Sequence, residues 1–298
     1  MKVEFGTSAI DLPSPGFGYL EESSARPGDM DALRARFKRD GYLYLPGFIE
    51  RETVLRARES VFAHMKEAEV LSPGTPVIEG VMPRGGKTVD LLGVNPVTTG
   101  TEVRAALEAD ELLEFFRRFY DEEPVGFPYK WLRAVGNERF TGVHFDSVYM
   151  GRGSSRVNTV WIPLGDIPIH QGTLAICAGS HDGPEFERLR STYGKMDVDR
   201  DHTEGWFTES PQEILDLFGG KWLTTDFRAG DVLIFGLLTL HASTTNTTDR
   251  FRLSCDVRFQ PGSDPVDERW GGTELSGNYE WGNSPQVSMR EARERWGV

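Results

Sequence analysis

The sequence predicts a mainly β protein, a sandwich or barrel fronted by helices, on three observations. From about Phe127 onward, short β-like runs recur at 128–135, 139–146, 156–163, 173–178, 221–226, 231–236, 237–243 and 250–259, with turn residues between them. About eight short strands suit a sandwich or barrel. Ahead of them, 50–69 and 102–120 carry apolar residues at helical spacing. Last, 250–259 alternates without a break. Arg250, Arg252, Ser254, Asp256 and Arg258 fall on one face, and Phe251, Leu253, Cys255, Val257 and Phe259 on the other.

Taken in order, residues 1–28 are rich in Pro, Gly and Ser and read as an irregular arm. Asp29 is placed to cap a short helix carrying Met30, Leu33 and Phe37, stopped near Gly41. Tyr42–Leu45 reads as a strand ended by Pro46. Val54, Val61, Phe62 and Met65 make the stripe of the 50–69 helix. Residues 71–101 hold six glycines and four prolines, which predicts a long loop, and its Arg84 and Lys87 suit closure over a substrate. The next helix, 102–120, presents Val103, Leu107, Leu112, Phe115, Phe116 and Phe119 and stops at Pro124. Between His181 and Gly220 the strands pause, and two helical pieces, 184–192 and 211–218, suggest an insertion over one mouth of the barrel. A tail with Trp270, Tyr279, Trp281 and Trp296, and a short helix at 286–296, reads as a packed cover. With no repeat or linker, one domain is the simplest organisation. It has an N-terminal part (1–126), a β core (127–260, with insertion 182–220) and a C-terminal cover (261–298).

Bulk properties narrow the function. The 298 residues carry a formal net charge of -13, which disfavours nucleic-acid backbones and anionic membranes. Two cysteines, Cys177 and Cys255, sit in apparent strands and suit buried thiols in a reducing compartment. The first residues have no apolar core of a signal peptide, and Val232–Leu240 is too short to span a bilayer. A cytoplasmic protein is expected.

The chemistry gathers at His144-Phe145-Asp146 and His241. In an extended chain His144 and Asp146 share a face. Two histidines and one carboxylate form the facial triad of non-haem iron(II) oxygenases, which leaves metal positions open for co-substrate and dioxygen. If Thr244–Asp249 is a hairpin turn centred between Asn246 and Thr247, His241 faces Arg252 at about 5 Å. Arg252 with Ser254 makes a two-point grip for the far carboxylate of a 2-oxoacid. His170 and His181 are rival ligands, and Arg250 is the rival anchor. Lys130 and Arg133 are candidates for the other co-substrate carboxylate or for the substrate, with Thr141 and Ser243 as polar lining.

His144-Phe145-Asp146, Trp161, Gly179-Ser180-His181, Gly230-Asp231, His241, Ser243, Asn246 and Arg252, with the opening FKRDGYLYLPGFIERETV, resemble the phytanoyl-CoA dioxygenase family of iron(II)/2-oxoglutarate-dependent oxygenases over roughly 30–260. Gln171-Gly172-Thr173-Leu174 stands where that family usually has Asn-Gly-x-Leu, and Ala178 where it has Pro. The resemblance implies a cupin-like double-stranded β-helix (jelly-roll) with N-terminal helices on one sheet. It implies Fe(II) on His144, Asp146 and His241, the 2-oxoglutarate C5 carboxylate on Arg252, and Trp161 close to the cofactor. The implied reaction is hydroxylation of a small organic molecule, with O2 and 2-oxoglutarate consumed. Halogenation is disfavoured because Asp146 fills the position a halide needs. The competing readings are a non-catalytic jelly-roll that binds a metal or small acid, and a metallo-cupin enzyme independent of 2-oxoglutarate. Substrate identity and oligomeric state are not legible.

Overall fold

The computed structural model describes residues 1–23, 29–83, 89–271 and 286–298. Twelve strands are found among them: β1 (Lys2–Phe5), β2 (Ser8–Asp11), β3 (Phe17–Tyr19), β4 (Tyr42–Leu45), β5 (Pro124–Gly126), β6 (Trp131–Val135), β7 (Asn158–Pro163), β8 (Leu174–Ala178), β9 (Lys221–Thr224), β10 (Val232–Gly236), β11 (His241–Ser243) and β12 (Arg252–Pro261). Helices α1 (Met30–Asp40), α2 (Arg51–Glu67), α3 (Thr101–Leu107) and α4 (Asp110–Tyr120) precede the β core.

Two sheets form the body. The larger runs β4-β10-β7-β12-β5, with β6 on the same edge of β12 as β5. The smaller runs β11-β8-β9-β3. This is the jelly-roll expected, with one apolar layer between the sheets and one on each outer face. Trp161, Leu174, Ile176, Leu233 and Phe235 cluster in the middle. On the outer side of the large sheet, Leu253, Cys255, Val257 and Phe259 of β12 meet Val54, Val61 and Phe62 of α2 and Phe115 and Phe116 of α4. Every β12 residue is buried, so its alternation separates two interiors, one apolar and one polar, rather than core from water.

The caps explain the first helix. The Asp29 side chain accepts from the amide of Ala32 at 3.0 Å, and Gly41 ends the helix at φ 78, a left-handed geometry that suits glycine. The 102–120 helix is two helices, because the chain turns at Glu108 and Ala109 before Asp110 and Glu111 open α4.

The first residues overturn the expectation of an irregular arm. β1 and β2 form an antiparallel hairpin, and β3 adds to the small sheet parallel to β9. The cause is apolar: Phe5 stacks on Phe17 at 5.3 Å and meets the edge of Trp222 at 5.2 Å, with Val3 and Ile10 also buried. The alternation in Lys2-Val3-Glu4-Phe5 is a strand signal that the Pro and Gly content masked.

The proposed hairpin is also corrected. His241 pairs with Ile176 of β8 in the small sheet, whereas Arg252 pairs with Val135 of β6 in the large one. The turn donors are used elsewhere: the amides of Thr244, Thr245 and Thr247 bond to the carbonyls of Thr173, Glu4 and His170. Asn246 donates to the carbonyls of Val135 (2.9 Å) and Arg250 (2.8 Å) and accepts from Thr248. The chain therefore crosses from one sheet to the other instead of folding back on itself.

The insertion carries short helices at Glu187–Ser191 and Pro211–Phe218, and Met289–Trp296 is helical near the C-terminus. Arg84, Lys87, Tyr279 and Trp281 lie outside the described residues.

Phe116 is fully buried and stacks on Phe259 at 4.6 Å. Phe116→Ala is expected to cost about 3–5 kcal/mol in urea unfolding. Exposed Leu217→Ala in the insertion should cost about 0.5 kcal/mol or less.

Candidate metal centre

The tripeptide reaches the small sheet through one bridge. His144 and His241 exchange both backbone hydrogen bonds, each 3.0 Å, so their side chains emerge together from neighbouring segments. Asp146 is not extended as expected. It has helical angles (φ -65, ψ -24) and starts the turn Ser147–Met150. That bend carries its carboxylate back to the histidines. The ligand atoms of His144, Asp146 and His241 all lie within 4.8 Å of one another, and all three residues are buried.

Each candidate ligand is aimed by a second contact. His144 Nδ1 is 2.8 Å from the Gly142 carbonyl, and His241 Nδ1 is 2.9 Å from the Thr239 carbonyl. A carbonyl only accepts, so both Nδ1 atoms hold the proton and both Nε2 atoms present lone pairs. These Nε2 atoms lie 3.7 Å (His144) and 3.8 Å (His241) from Asp146 Oδ1. The other oxygen, Oδ2, accepts from Thr159 Oγ1 at 2.6 Å and from Arg258 Nη2 at 3.0 Å. One oxygen is thus held by the protein and the other faces the imidazoles.

The electrostatics agree. Burial and the neighbouring His241 pull the His144 imidazole down to about 3, so it stays neutral and able to bind a cation. Burial pushes the Asp146 carboxyl up, but Arg258, His241 and His144 outweigh it and hold it below the usual carboxylate range. Two imidazoles and one carboxylate fit a divalent iron.

Arg252 is buried at 2% exposure. It donates to Ser254 Oγ, its guanidinium carbon lies 5.9 Å from the Trp161 ring, and its Nε has no partner among the described residues. Burial first, and then Arg133, lower it to about 9. A buried cation with an unmet donor fits an incoming carboxylate.

The other expected residues divide. The Thr141 amide donates to Ser243 Oγ at 2.8 Å, and Thr141 lines a cavity of about 910 Å³ beside β6. Lys130 does not join the centre: its ammonium bonds to the Phe127 carbonyl (2.9 Å) and pairs with Glu108 at 3.2 Å. Arg250 is exposed and pairs with Glu79 at 3.0 Å. His170 and His181 stand outside the cluster. His181 reaches the Lys38 carbonyl, while Ser180 accepts the Leu240 amide and so sets where β11 begins. Sequence reasoning did not single out Thr159, or Arg258 as the group that holds Asp146, although Arg258 stood on the polar face of β12. Trp206 was missed too. It packs over Gly142, the residue whose carbonyl orients His144, where an added Cβ would lie 2.5 Å from the indole.

A jelly-roll with two histidines, one carboxylate and a buried arginine defines the class of iron(II)/2-oxoglutarate-dependent oxygenases. Residues 37–254 match the family described as phytanoyl-CoA dioxygenase (PhyH), and the chain belongs to it. It is thus a non-haem iron(II)/2-oxoglutarate-dependent dioxygenase of the hydroxylase type. It is 26% identical over 261 residues to the 1-deoxypentalenic acid 11-beta-hydroxylase of Streptomyces exfoliatus, covering 79% of this chain and 82% of that protein. The fold is similar to EctD from S. alaskensis in its apoform (TM-score 0.57, 16% identity, 91% of this chain and 94% of that one). It is also similar to the non-heme alpha ketoglutarate dependent carbocyclase SnoK from nogalamycin biosynthesis (TM-score 0.54, 18% identity, 86% and 90%). No described helix is long and apolar enough to cross a membrane.

Ni(II), or Fe(II) under anaerobic conditions, at a hundredfold excess over its Kd should stabilise the wild type by about 2.7 kcal/mol. The rise in Tm should vanish in His241→Ala and return to the metal-free value with a chelator. A metal-induced rise that survives the substitution would exclude His241 as a ligand.

Proposed function

We propose that His144, Asp146 and His241 hold the iron, and that Arg252, with Ser254 beside it and Trp161 near it, holds the C5 carboxylate of 2-oxoglutarate. The observation that carries this reading is the pairing of a converged, lone-pair-bearing triad with a buried guanidinium whose Nε has no acceptor. When bound, the iron and 2-oxoglutarate supply the oxidation of a substrate C–H bond by dioxygen, with succinate and CO2 as co-products.

The chain contributes position and a dry site. Thr159 and Arg258 keep Asp146 Oδ2 occupied, so Oδ1 is left for the metal. The carbonyls of Gly142 and Thr239 keep the Nδ1 protons in place, so neither imidazole can turn. The buried Arg252 orients the co-substrate through its far end, leaving the near end for the metal. The primary substrate is a small organic molecule that reaches the centre from the cavity bordered by Arg133, Phe140 and Thr141. The chain reads as one oxygenase domain, since the helices share a continuous apolar layer with the large sheet, and the two sheets share another between them. A cytoplasmic location is supported by Cys177 and Cys255, which are buried and unpaired.

The test is succinate formation from 2-oxoglutarate under air with Fe(II) and ascorbate. Arg252→Ala should raise the 2-oxoglutarate concentration for half-maximal turnover by about thirtyfold or more, and Arg252→Lys by less. An unchanged requirement in Arg252→Ala would favour chemistry independent of 2-oxoglutarate.

A further inference from the structure

We infer that the primary substrate is a carboxylate, a monoanion on an apolar body, and that Arg133 binds it. The inference rests on the iron and 2-oxoglutarate reading above, and it starts from the charges in the barrel interior. Among the described residues, Arg252, Ser254, Asp256 and Arg258 line the polar face of β12, with Arg133 paired across from Ser254. Arg133 donates to Asp256, Arg258 Nη2 lies 3.9 Å from Asp256, and Arg258 binds Asp146. Three guanidinium groups therefore face two carboxylates, and one positive charge is left over. A divalent metal and a dicarboxylate co-substrate cancel each other and leave that charge standing. Net charge in a poorly hydrated interior is costly, so a site built this way is completed by one further negative charge.

Hydrogen bonding shows the same deficit. Besides Arg252 Nε, the buried Nε and Nη1 of Arg258 have no acceptor among the described residues. Arg133 uses only Nη1, which donates to Asp256 and to the Trp131 carbonyl at 3.2 Å. Its Nε and Nη2 make no hydrogen bond among the described residues, and they form the edge that takes a carboxylate two-pronged.

Access singles out Arg133 among the three. Arg252 and Arg258 are each 2% exposed, whereas the Arg133 side chain is 32% exposed and lines the cavity of about 910 Å³. Met82, Val89, Leu91 and Phe140 give that cavity an apolar wall suited to a hydrocarbon body. Its rim also carries Arg139, Asp90 and Asp249, but these are exposed and screened by water, so they add little to the balance at Arg133.

The test uses decanoate and 1-adamantanecarboxylate against the corresponding amides. Binding is measured by calorimetry to full-length protein loaded with Ni(II) and 2-oxoglutarate. In the wild type each acid should bind about tenfold or more tightly than its amide. Arg133→Gln should erase that preference while Ni(II) and 2-oxoglutarate affinities stay within about threefold. Because Arg133→Gln removes the guanidinium that donates to Asp256, the double variant Arg133→Gln/Asp256→Asn is measured beside it. Arg133→Lys, which keeps the charge without the two-pronged edge, should retain part of the preference. Equal binding of acid and amide in the wild type, failure of both acids to bind, or an undiminished preference in Arg133→Gln overturns the proposal and leaves the cofactor reading intact. Failure of the wild type to bind Ni(II) and 2-oxoglutarate overturns both.

Discussion

The structure depends on one pair of hydrogen bonds, the two that His144 and His241 exchange through their backbones. They dock a segment outside the named strands onto the edge of the small sheet and place two imidazoles side by side, ring centroids 4.1 Å apart. Two buried, like-chargeable groups this close cannot both be charged without repulsion, and the low affinity of His144 for a proton avoids that. Asp146 then supplies the one anion. Its bend into a helical turn converts a sequence spacing into convergence, and Arg258 and Thr159 stop it from rotating away.

β12 links this centre to the rest of the molecule. Its outward residues bind the sheet to α2 and α4, and its inward residues carry the interior charges. Stability and chemistry therefore share one strand. A slip of one residue would exchange the two faces, placing guanidinium groups against Phe116 and Val54 and apolar side chains in the barrel. The large apolar area on the outer face protects the register that the interior needs.

Much of this was legible. Two amphipathic stretches, the capped helix after Asp29, most of the strands and the separation of the two faces of β12 all follow from periodicity and capping, which are local. The triad residues could be named because their types and order are distinctive. The partners of these residues could not be. Arg252 was expected to face His241 across a hairpin. Instead, Asn246 and the threonines around it bond to the segments at Val135, His170 and Thr173, which lie far away in the chain, and the link crosses between sheets. Lys130 looked like a co-substrate or substrate contact because it falls in the β-like run ahead of His144-Phe145-Asp146, yet Glu108 of the helical layer takes its charge.

By itself, the sequence determined the alternating faces, the helix caps and which side chains can bind a cation, since each depends on residues within a turn or a strand of one another. Tertiary structure alone decided which strands pair, that Asp146 bends toward the histidines, and that three arginines meet two aspartates inside the barrel. Those outcomes depend on desolvation and on hydrogen-bond partners supplied by distant segments, and no periodicity along the chain records them.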